Sequence, residues 1–165
     1  MKLKAILTLS AAILVSSLAA SHSAYAFQSI YIVRHAEKKD ASKDPVLSEQ
    51  GEARAANLAK ILRDSDISAI YTSEYLRTQK TAAPLADALK IKSTAINDSA
   101  KLVKALKDDT SSKSALVVGH SNTVPDLLKA FGSDQKIEIG EAEFDRLYIL
   151  TPQKSGKPVI NLIRY

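Results

Sequence analysis

The chain has 165 residues, a net charge of +5 at pH 7, 45% hydrophobic residues and 25% charged residues. This length suits one domain, and the composition is that of a globular protein rather than a disordered or fibrous one. The absence of cysteine excludes disulfides, iron–sulfur clusters, cysteine-ligated zinc and a cysteine nucleophile. With only three histidines, a histidine-rich metal site is not expected.

Residues 1–26 have the pattern of a secretory signal peptide. Two early lysines precede a mostly apolar run over residues 5–20, and Ala24-Tyr25-Ala26 is an A-x-A cleavage pattern. The apolar run is short and rich in Ser and Ala, which favours cleavage over a membrane anchor. We therefore predict cleavage after Ala26 and a mature domain of residues 27–165 with no stable membrane insertion. The signal resembles those of Gram-negative bacteria, which implies a periplasmic or secreted location.

Beyond residue 26, short apolar runs typical of buried strands alternate with segments of helical periodicity. In chain order we predict strand 30–33, then a helix capped by Ser48 with Gly51, Ala55, Leu58 and Leu62 on one face, and strand 69–71. A helix around Ala82–Leu89, which Pro84 kinks or restarts, is followed by weak strand 93–96 and a short helix at Leu102–Leu106. Strand 115–118 and a helix over Val124–Phe131 come next, and strands 147–150 and 159–163 form a hairpin-like pair around Gly156. Strands that are apolar throughout indicate an α/β three-layer sandwich with a mostly parallel central sheet flanked by helices.

In a parallel sheet, ligands bind at the carboxyl ends of the strands. The residues there are Arg34-His35, Thr72-Ser73 through Arg77, Asn97-Asp98 and Gly119-His120. Guanidinium groups match phosphate oxygens, and a helix that begins near Asn122 favours an anion at its start. A phosphoryl group bound by Arg34, Arg77 and His120 would lie close to His35, and a histidine ring nitrogen can act as a nucleophile. Neighbouring positive charges would favour the neutral, nucleophilic form of His35.

Four segments resemble motifs of the histidine phosphatase superfamily. Residues 31–37 are similar to its Arg-His-Gly/Ala signature, and residues 47–51 to the Leu-Thr/Ser-x-x-Gly that opens its first helix. Residues 71–82 resemble the motif in which a Ser is followed by Arg and then Thr-Ala, and residues 117–122 resemble the Gly-His motif. The four occur in the family's order from about residue 28 onward. The resemblance implies a phosphoglycerate mutase-like fold.

The resemblance also implies a chemistry. His35 would be phosphorylated, Arg34, Arg77 and His120 would bind the phosphoryl group, and water would hydrolyse the phosphohistidine. Asn122 is a further candidate for binding phosphate. No metal or other cofactor is implied. The implied substrates are phosphomonoesters or phosphoramidates, either a small phosphorylated compound or a phosphoprotein.

A general acid is expected to protonate the leaving group. In many relatives this acid follows the third strand, where Asp98 lies in this sequence. Glu37 and Asp145 are alternatives, and some compact members act without a dedicated acid.

Larger members insert helices that cap the site, and residues 74–113 leave little room for a cap, so an open site is expected. This favours a compact phosphatase over two alternatives, a phosphoglycerate-mutase-like phosphotransferase and a non-catalytic protein that binds phosphate or phosphoglycan. Scattered lysines give no reason to expect nucleic acid binding. A serine hydrolase is excluded, because the G-x-S-x-G elbow is absent. The sequence leaves the substrate and the oligomeric state open.

Overall fold

The computed structural model describes residues 27–153 and 156–165, so the predicted signal peptide lies outside the described residues. Strands and helices alternate along most of this part of the chain. They are β1 (Ile30–Arg34), α1 (Glu49–Leu62), β2 (Ile67–Thr72), α2 (Leu76–Leu89), β3 (Thr94–Ala95), α3 (Ser99–Asp108), β4 (Ser114–Gly119), α4 (Thr123–Ala130), β5 (Arg146–Thr151) and β6 (Val159–Arg164).

The strands form one six-stranded sheet in the order β3-β2-β4-β1-β5-β6. The first four strands of that order are parallel, whereas β5 runs antiparallel to β1 and β6 antiparallel to β5. The prediction of an α/β fold with a mostly parallel sheet is therefore confirmed. The central strand β4 is buried along its whole length, as its continuous apolar run predicts.

Two hydrophobic cores lie on opposite faces of the sheet, and the alternation of strand side chains assigns residues to each. Along β1, Ile32 points into the core that α3 and α4 cover, and Val33 points into the core that α1 and α2 cover. Fully burying one such aliphatic side chain contributes about 1.5–3 kcal/mol. The three-layer arrangement predicted from the sequence follows from these two cores.

The first helix matches its prediction closely. Ser48 is the N-cap, and its hydroxyl accepts a hydrogen bond from the Gly51 amide at 3.1 Å. The buried residues of α1 are those that the periodicity predicts, namely Gly51, Ala55, Leu58 and Leu62.

The second helix differs from its prediction. It begins at Leu76 and continues without a break through Pro84, so of the two alternatives predicted there, a kink or a restart, the restart is wrong. Proline removes one backbone donor, but Ala82 and Leu85 on either side of it are fully buried, and this packing stabilises the helix across that position.

The late hairpin is confirmed as the pair β5–β6, with Gly156 in a left-handed conformation at φ 92° in the connection. β6 is an edge strand and exposes Val159, Leu162 and Ile163. Across residues 27–153 and 156–165, no helix combines the length and the apolar character needed to cross a membrane.

Candidate active site

A cavity of about 500 Å³ lies at the carboxyl ends of β1, β2 and β4. It brings together all four motif residues predicted from the sequence, and Asn122 with them. The polar side chains of its lining include Arg34, His35, Lys38, Ser73, Tyr75, Arg77, Asn97, His120, Asn122 and Glu141. Three cationic residues and a single carboxylate make this lining electropositive, as an anion site requires.

His35 lies in the turn after β1, and its backbone is fixed by two neighbouring elements. Its amide donates to the carbonyl of Gly119 at 2.9 Å, which ties it to the end of β4. The next amide, Ala36, donates to the hydroxyl of Thr81 on α2, also at 2.9 Å. Thr81 in turn donates to the carbonyl of Arg77 at 2.7 Å. Thr81, in the motif of residues 71–82, therefore connects the turn of His35 to the helix that carries Arg77.

The tautomer of His35 follows from its hydrogen bond. Nδ1 lies 2.8 Å from the carbonyl oxygen of Ala36, and because a carbonyl only accepts, Nδ1 must carry the proton. In the neutral ring this leaves the lone pair on Nε2. The ring nitrogen with a free lone pair is therefore Nε2.

Burial keeps His35 neutral. The pKa of His35 falls to about 4, mainly because burial disfavours the charged ring; repulsion from His120 when that ring is protonated, and from the charges of Arg34 and Arg77, lowers it further. The hydrogen bond to Ala36 opposes this shift in part. The sequence predicts the neutral form from neighbouring positive charges, whereas in the structure desolvation is the larger cause.

His120 faces His35 from the end of β4, with the ring centroids 5.4 Å apart. Its Nδ1 lies 3.5 Å from Nη2 of Arg77, a nitrogen that only donates, so Nε2 carries the proton and donates to the hydroxyl of Ser73 at 3.0 Å. Burial, followed by the charges of Arg77 and Arg34, lowers the pKa of His120 to about 4. Ser73 therefore fixes the orientation of the second histidine.

Arg77 lies in the first turn of α2 and is largely buried, with 15% of its side chain exposed. The ring of Tyr75 stacks on its guanidinium at 4.2 Å, and the carboxylate of Asp44 approaches Nη1 to 3.9 Å. Asp44 also accepts from the Leu76 amide at 2.9 Å, which fixes the start of the helix. These contacts keep the guanidinium at the cavity wall beside His120.

Arg34, the other predicted phosphate ligand, is bound by backbone from a distant part of the chain. Its Nη1 donates to the carbonyls of Gly140, Glu141 and Glu143 at 2.6, 3.1 and 3.3 Å. Its Nη2 donates to the side-chain carboxylate of Glu141 at 3.2 Å, and the ring of Phe144 lies 4.3 Å from the guanidinium. Only 4% of the Arg34 side chain is exposed.

We name residues 140–144 the β5-entry loop. A clamp within the loop stabilises it, since Glu143 accepts from the Gly140 amide at 2.8 Å and forms an ion pair with Arg146. Sequence reasoning missed this loop. The signal that could have found it is the antiparallel pairing of β5 with β1, in which Val33 lies opposite Leu147, because this pairing places the residues before β5 beside those that follow β1.

The carboxylates predicted as general acids lie elsewhere. Asp98 caps α3, accepting from the Lys101 amide at 2.8 Å, and it does not line the cavity. Glu37 is bound in bidentate fashion by Arg54, and Asp145 by Arg164. The geometry thus gives Asp98 a capping role and no support as an acid. Asn122 lines the cavity at the N-cap of α4 without a side-chain capping bond, so its phosphate contact stays a prediction.

In the described part of the chain, no cluster of three or more His, Asp or Glu could hold a metal ion. The site is built instead from one nucleophilic ring, a second histidine and two guanidinium groups. That set is suited to binding a tetrahedral dianion next to a neutral imidazole.

A comparison with known protein families matches the segment that carries three of these side chains. Residues 30–100 match the sequence model of the histidine phosphatase superfamily (branch 1). The matched segment contains Arg34, His35 and Arg77, and His120 lies beyond it. No curated protein matches the chain by sequence.

Three solved structures are similar to this chain in fold. The protein histidine phosphatase SixA complexed with tungstate is 20% identical with a TM-score of 0.67, covering 82% of this chain and 96% of its own. A phosphoglycerate mutase from Bacillus anthracis is 15% identical with a TM-score of 0.66, covering 82% and 92%. Phosphoserine phosphatase from Entamoeba histolytica, in complex with 3-phosphoglyceric acid, is 14% identical with a TM-score of 0.65, covering 83% and 96%. The predicted phosphoglycerate mutase-like fold is therefore confirmed.

Proposed function

We propose that this protein is a phosphatase that hydrolyses phosphomonoesters or phosphoramidates through a covalent phosphohistidine at His35. The observation that carries the proposal is the state of that ring. His35 is buried and neutral, and its lone pair is on Nε2, at the edge of a cavity that Arg34, Arg77 and His120 also line. A neutral imidazole beside two guanidinium groups and a second histidine supports nucleophilic attack on phosphorus.

In the first step one bond to phosphorus forms and one breaks. Nε2 of His35 attacks phosphorus while the bond from phosphorus to the leaving oxygen or nitrogen breaks, and the leaving atom takes up a proton. The ring becomes positive as the new bond forms. The hydrogen bond from Nδ1 to the carbonyl of Ala36 strengthens as that charge develops, because bonds from ionised donors are stronger than neutral ones.

In the second step, water attacks the phosphorus of phosphohistidine and the bond to Nε2 breaks. This step releases inorganic phosphate and restores neutral His35. The guanidinium of Arg77 beside His120 stabilises the charge that spreads over the transferring oxygens in both steps.

Hydrolysis is favoured over phosphoryl transfer between two positions of a substrate. Between β2 and β4 the chain forms α2, the two-residue strand β3 and the ten-residue helix α3. No further segment is inserted there to cover the cavity, so water reaches the phosphohistidine. A mutase would isomerise its substrate and release no free phosphate, and product analysis separates the two activities. Tight phosphate binding without turnover would instead indicate a non-catalytic binding protein.

The test uses the purified domain and an aryl phosphate. We expect phosphate release that His35→Ala reduces at least about a thousandfold, because a nucleophile cannot be replaced by its neighbours. Glu138→Gln is the matched control, since Glu138 is exposed, lies outside the cavity and pairs only with Lys136 among the ion pairs of the described residues. Trapping with labelled substrate should give a label on His35 that acid removes and alkali does not. Turnover that survives His35→Ala would overturn the mechanism.

We also propose that the protein acts in the periplasm or after secretion, on small phosphorylated compounds or phosphoproteins there. The support is the sequence of residues 1–26, with its A-x-A pattern ending at Ala26. Fractionation of a Gram-negative host followed by mass spectrometry should find a mature chain that begins at Phe27. A cytoplasmic chain that retains residues 1–26 would contradict this location.

A further inference from the structure

One carboxylate lines the cavity among the residues that the structure describes, and it belongs to Glu141. The acids suggested by sequence are engaged elsewhere, with Asp98 capping α3 and Glu37 bound to Arg54. The reaction needs a group that gives a proton to the leaving atom. The cavity supplies Glu141 on the β5-entry loop.

The backbone and the side chain of Glu141 differ in freedom. The carbonyls of Gly140 and Glu141 accept from the buried guanidinium of Arg34, so the loop backbone is fixed against β1. The side chain, by contrast, is 88% exposed and touches Arg34 through one oxygen. A fixed backbone with an exposed carboxylate side chain suits a group that must reach the leaving atoms of different substrates.

We propose that Glu141 is the general acid and base of the phosphatase reaction, a role that rests on the proposed function. In the free protein its carboxylate lies 3.2 Å from Nη2 of Arg34. A bound phosphoryl group competes for that same nitrogen, because Nη1 is already bonded to three carbonyls. The displaced carboxylate then lies next to the bound phosphoryl group. A substrate that binds as its monoanion brings the proton that this carboxyl group passes to the leaving atom.

Over one catalytic cycle Glu141 gives up one proton and regains one. In the first step the protonated carboxyl of Glu141 gives its proton to the leaving oxygen as that oxygen separates from phosphorus. An alcohol leaves, and Glu141 becomes a carboxylate beside the phosphohistidine. In the second step that carboxylate accepts a proton from the attacking water. Phosphate is released, and both Glu141 and His35 return to their starting states.

Leaving-group dependence tests this role, because an acid matters most when the leaving oxygen is strongly basic. We would compare kcat/KM for nitrophenyl phosphate and glycerol phosphate in the wild type, Glu141→Gln, Glu141→Asp and the control Glu138→Gln. For Glu141→Gln we expect a loss of about 100-fold or more on glycerol phosphate and of only a few-fold on nitrophenyl phosphate. Glu141→Asp should restore part of the loss, and the control should show none.

Three results would overturn the role. Equal losses on both substrates would mean that Glu141 acts through the position of Arg34, and equal gains would mean that it only competes with phosphate for that arginine. A selective loss on glycerol phosphate in Asp98→Asn, with none in Glu141→Gln, would assign the acid to Asp98. Each of these leaves the proposed function standing. A wild-type protein without any turnover that depends on His35 would overturn the proposed function, and the role of Glu141 with it.

Discussion

The two arginines of the site are bound in opposite ways. Arg34 is bonded to three carbonyls from the β5-entry loop, more than 100 residues further along the chain. Arg77 is contacted by side chains, by the ring of Tyr75 and the carboxylate of Asp44, both within 35 residues of it. One half of the site is thus a backbone framework around the nucleophile, and the other is a local arrangement of side chains.

This difference indicates that the two arginines, which the resemblance treats alike as phosphate ligands, have different main roles. Nη1 of Arg34 is occupied by carbonyls, and its Nε is buried without a hydrogen-bond partner, so only Nη2 is placed to meet a phosphate. Arg77 has its guanidinium at the cavity wall with weak, long polar contacts. We infer that Arg34 chiefly positions the strand end that carries His35, and that Arg77 chiefly binds the phosphoryl group.

The largest effect is expected for Arg34→Ala. This change leaves the carbonyls of Gly140, Glu141 and Glu143 without their buried donor, which costs about 3 kcal/mol of unfolding free energy. Activity should fall as well, because the residue before His35 then no longer bonds the strand end to the β5-entry loop. Urea denaturation and kcat/KM measure both losses. An Arg34→Ala protein of wild-type stability would remove the distinction between the two arginines.

Arg77→Ala should lower kcat/KM by about 100- to 1,000-fold while the unfolding free energy changes by less than about 1 kcal/mol. The reason is that its polar contacts are long and its charge acts mainly on the transferring phosphoryl group. Inhibition by inorganic phosphate should weaken in parallel. A large loss of stability with unchanged inhibition would show that Arg77 is structural instead.

The dependence of stability on pH tests the two halves of the site, since each half contains one histidine. Both have a folded-state pKa of about 4, below the ordinary value of 6.5, mainly through burial. The unfolded chain therefore takes up protons first, so stability is full above about pH 6.5 and is lost as pH falls toward 4. At pH 5 we expect a loss of at most about 2 kcal/mol for each histidine.

Urea denaturation at pH 7 and pH 5 measures that loss, and the double variant His35→Ala/His120→Ala should remove most of it. The loss assigned to His120 should be the smaller, because this ring is partly exposed whereas His35 is buried. Equal stability of the wild type at both pH values would contradict the buried neutral state.

The smallest effect is expected for Ser73→Ala. The change removes the acceptor of the Nε2 proton of His120 and leaves that ring free to reorient. We expect a loss of about tenfold in kcat/KM and of about 1 kcal/mol in stability. Ser73→Thr, which keeps the hydroxyl, is the matched control for activity. An unchanged kcat/KM in Ser73→Ala would mean that Arg77 alone orients His120.

Sequence reasoning reached the parts of the site that depend on local pattern. The apolar runs that became β1 and β4 placed Arg34, His35 and His120 at strand ends, and parallel strands bring such ends to one edge. The pattern could not show that β5 pairs with β1, because pairing partners are set by the whole fold. Glu141 was missed for that reason.

Asp98 is a residue whose sequence position is compatible with two roles. Its position after β3 resembled that of an acid, yet Asp is also a preferred N-cap, and a segment of helical periodicity follows it directly. The local capping interaction took the side chain, as the preference of Asp for helix starts would have indicated. The same sequence feature thus supported two roles, and only the geometry separated them.

The bond between Arg34 and Gly140 also bears on the order of folding. It joins residues 106 positions apart, and contacts of such long range form late because the intervening chain must first be organised. Until the β5-entry loop arrives, the guanidinium has no carbonyl partners and the turn of His35 has one open side. Refolding should therefore regain its helical signal before it regains any phosphatase activity, because the candidate site is complete only once the β5-entry loop has docked.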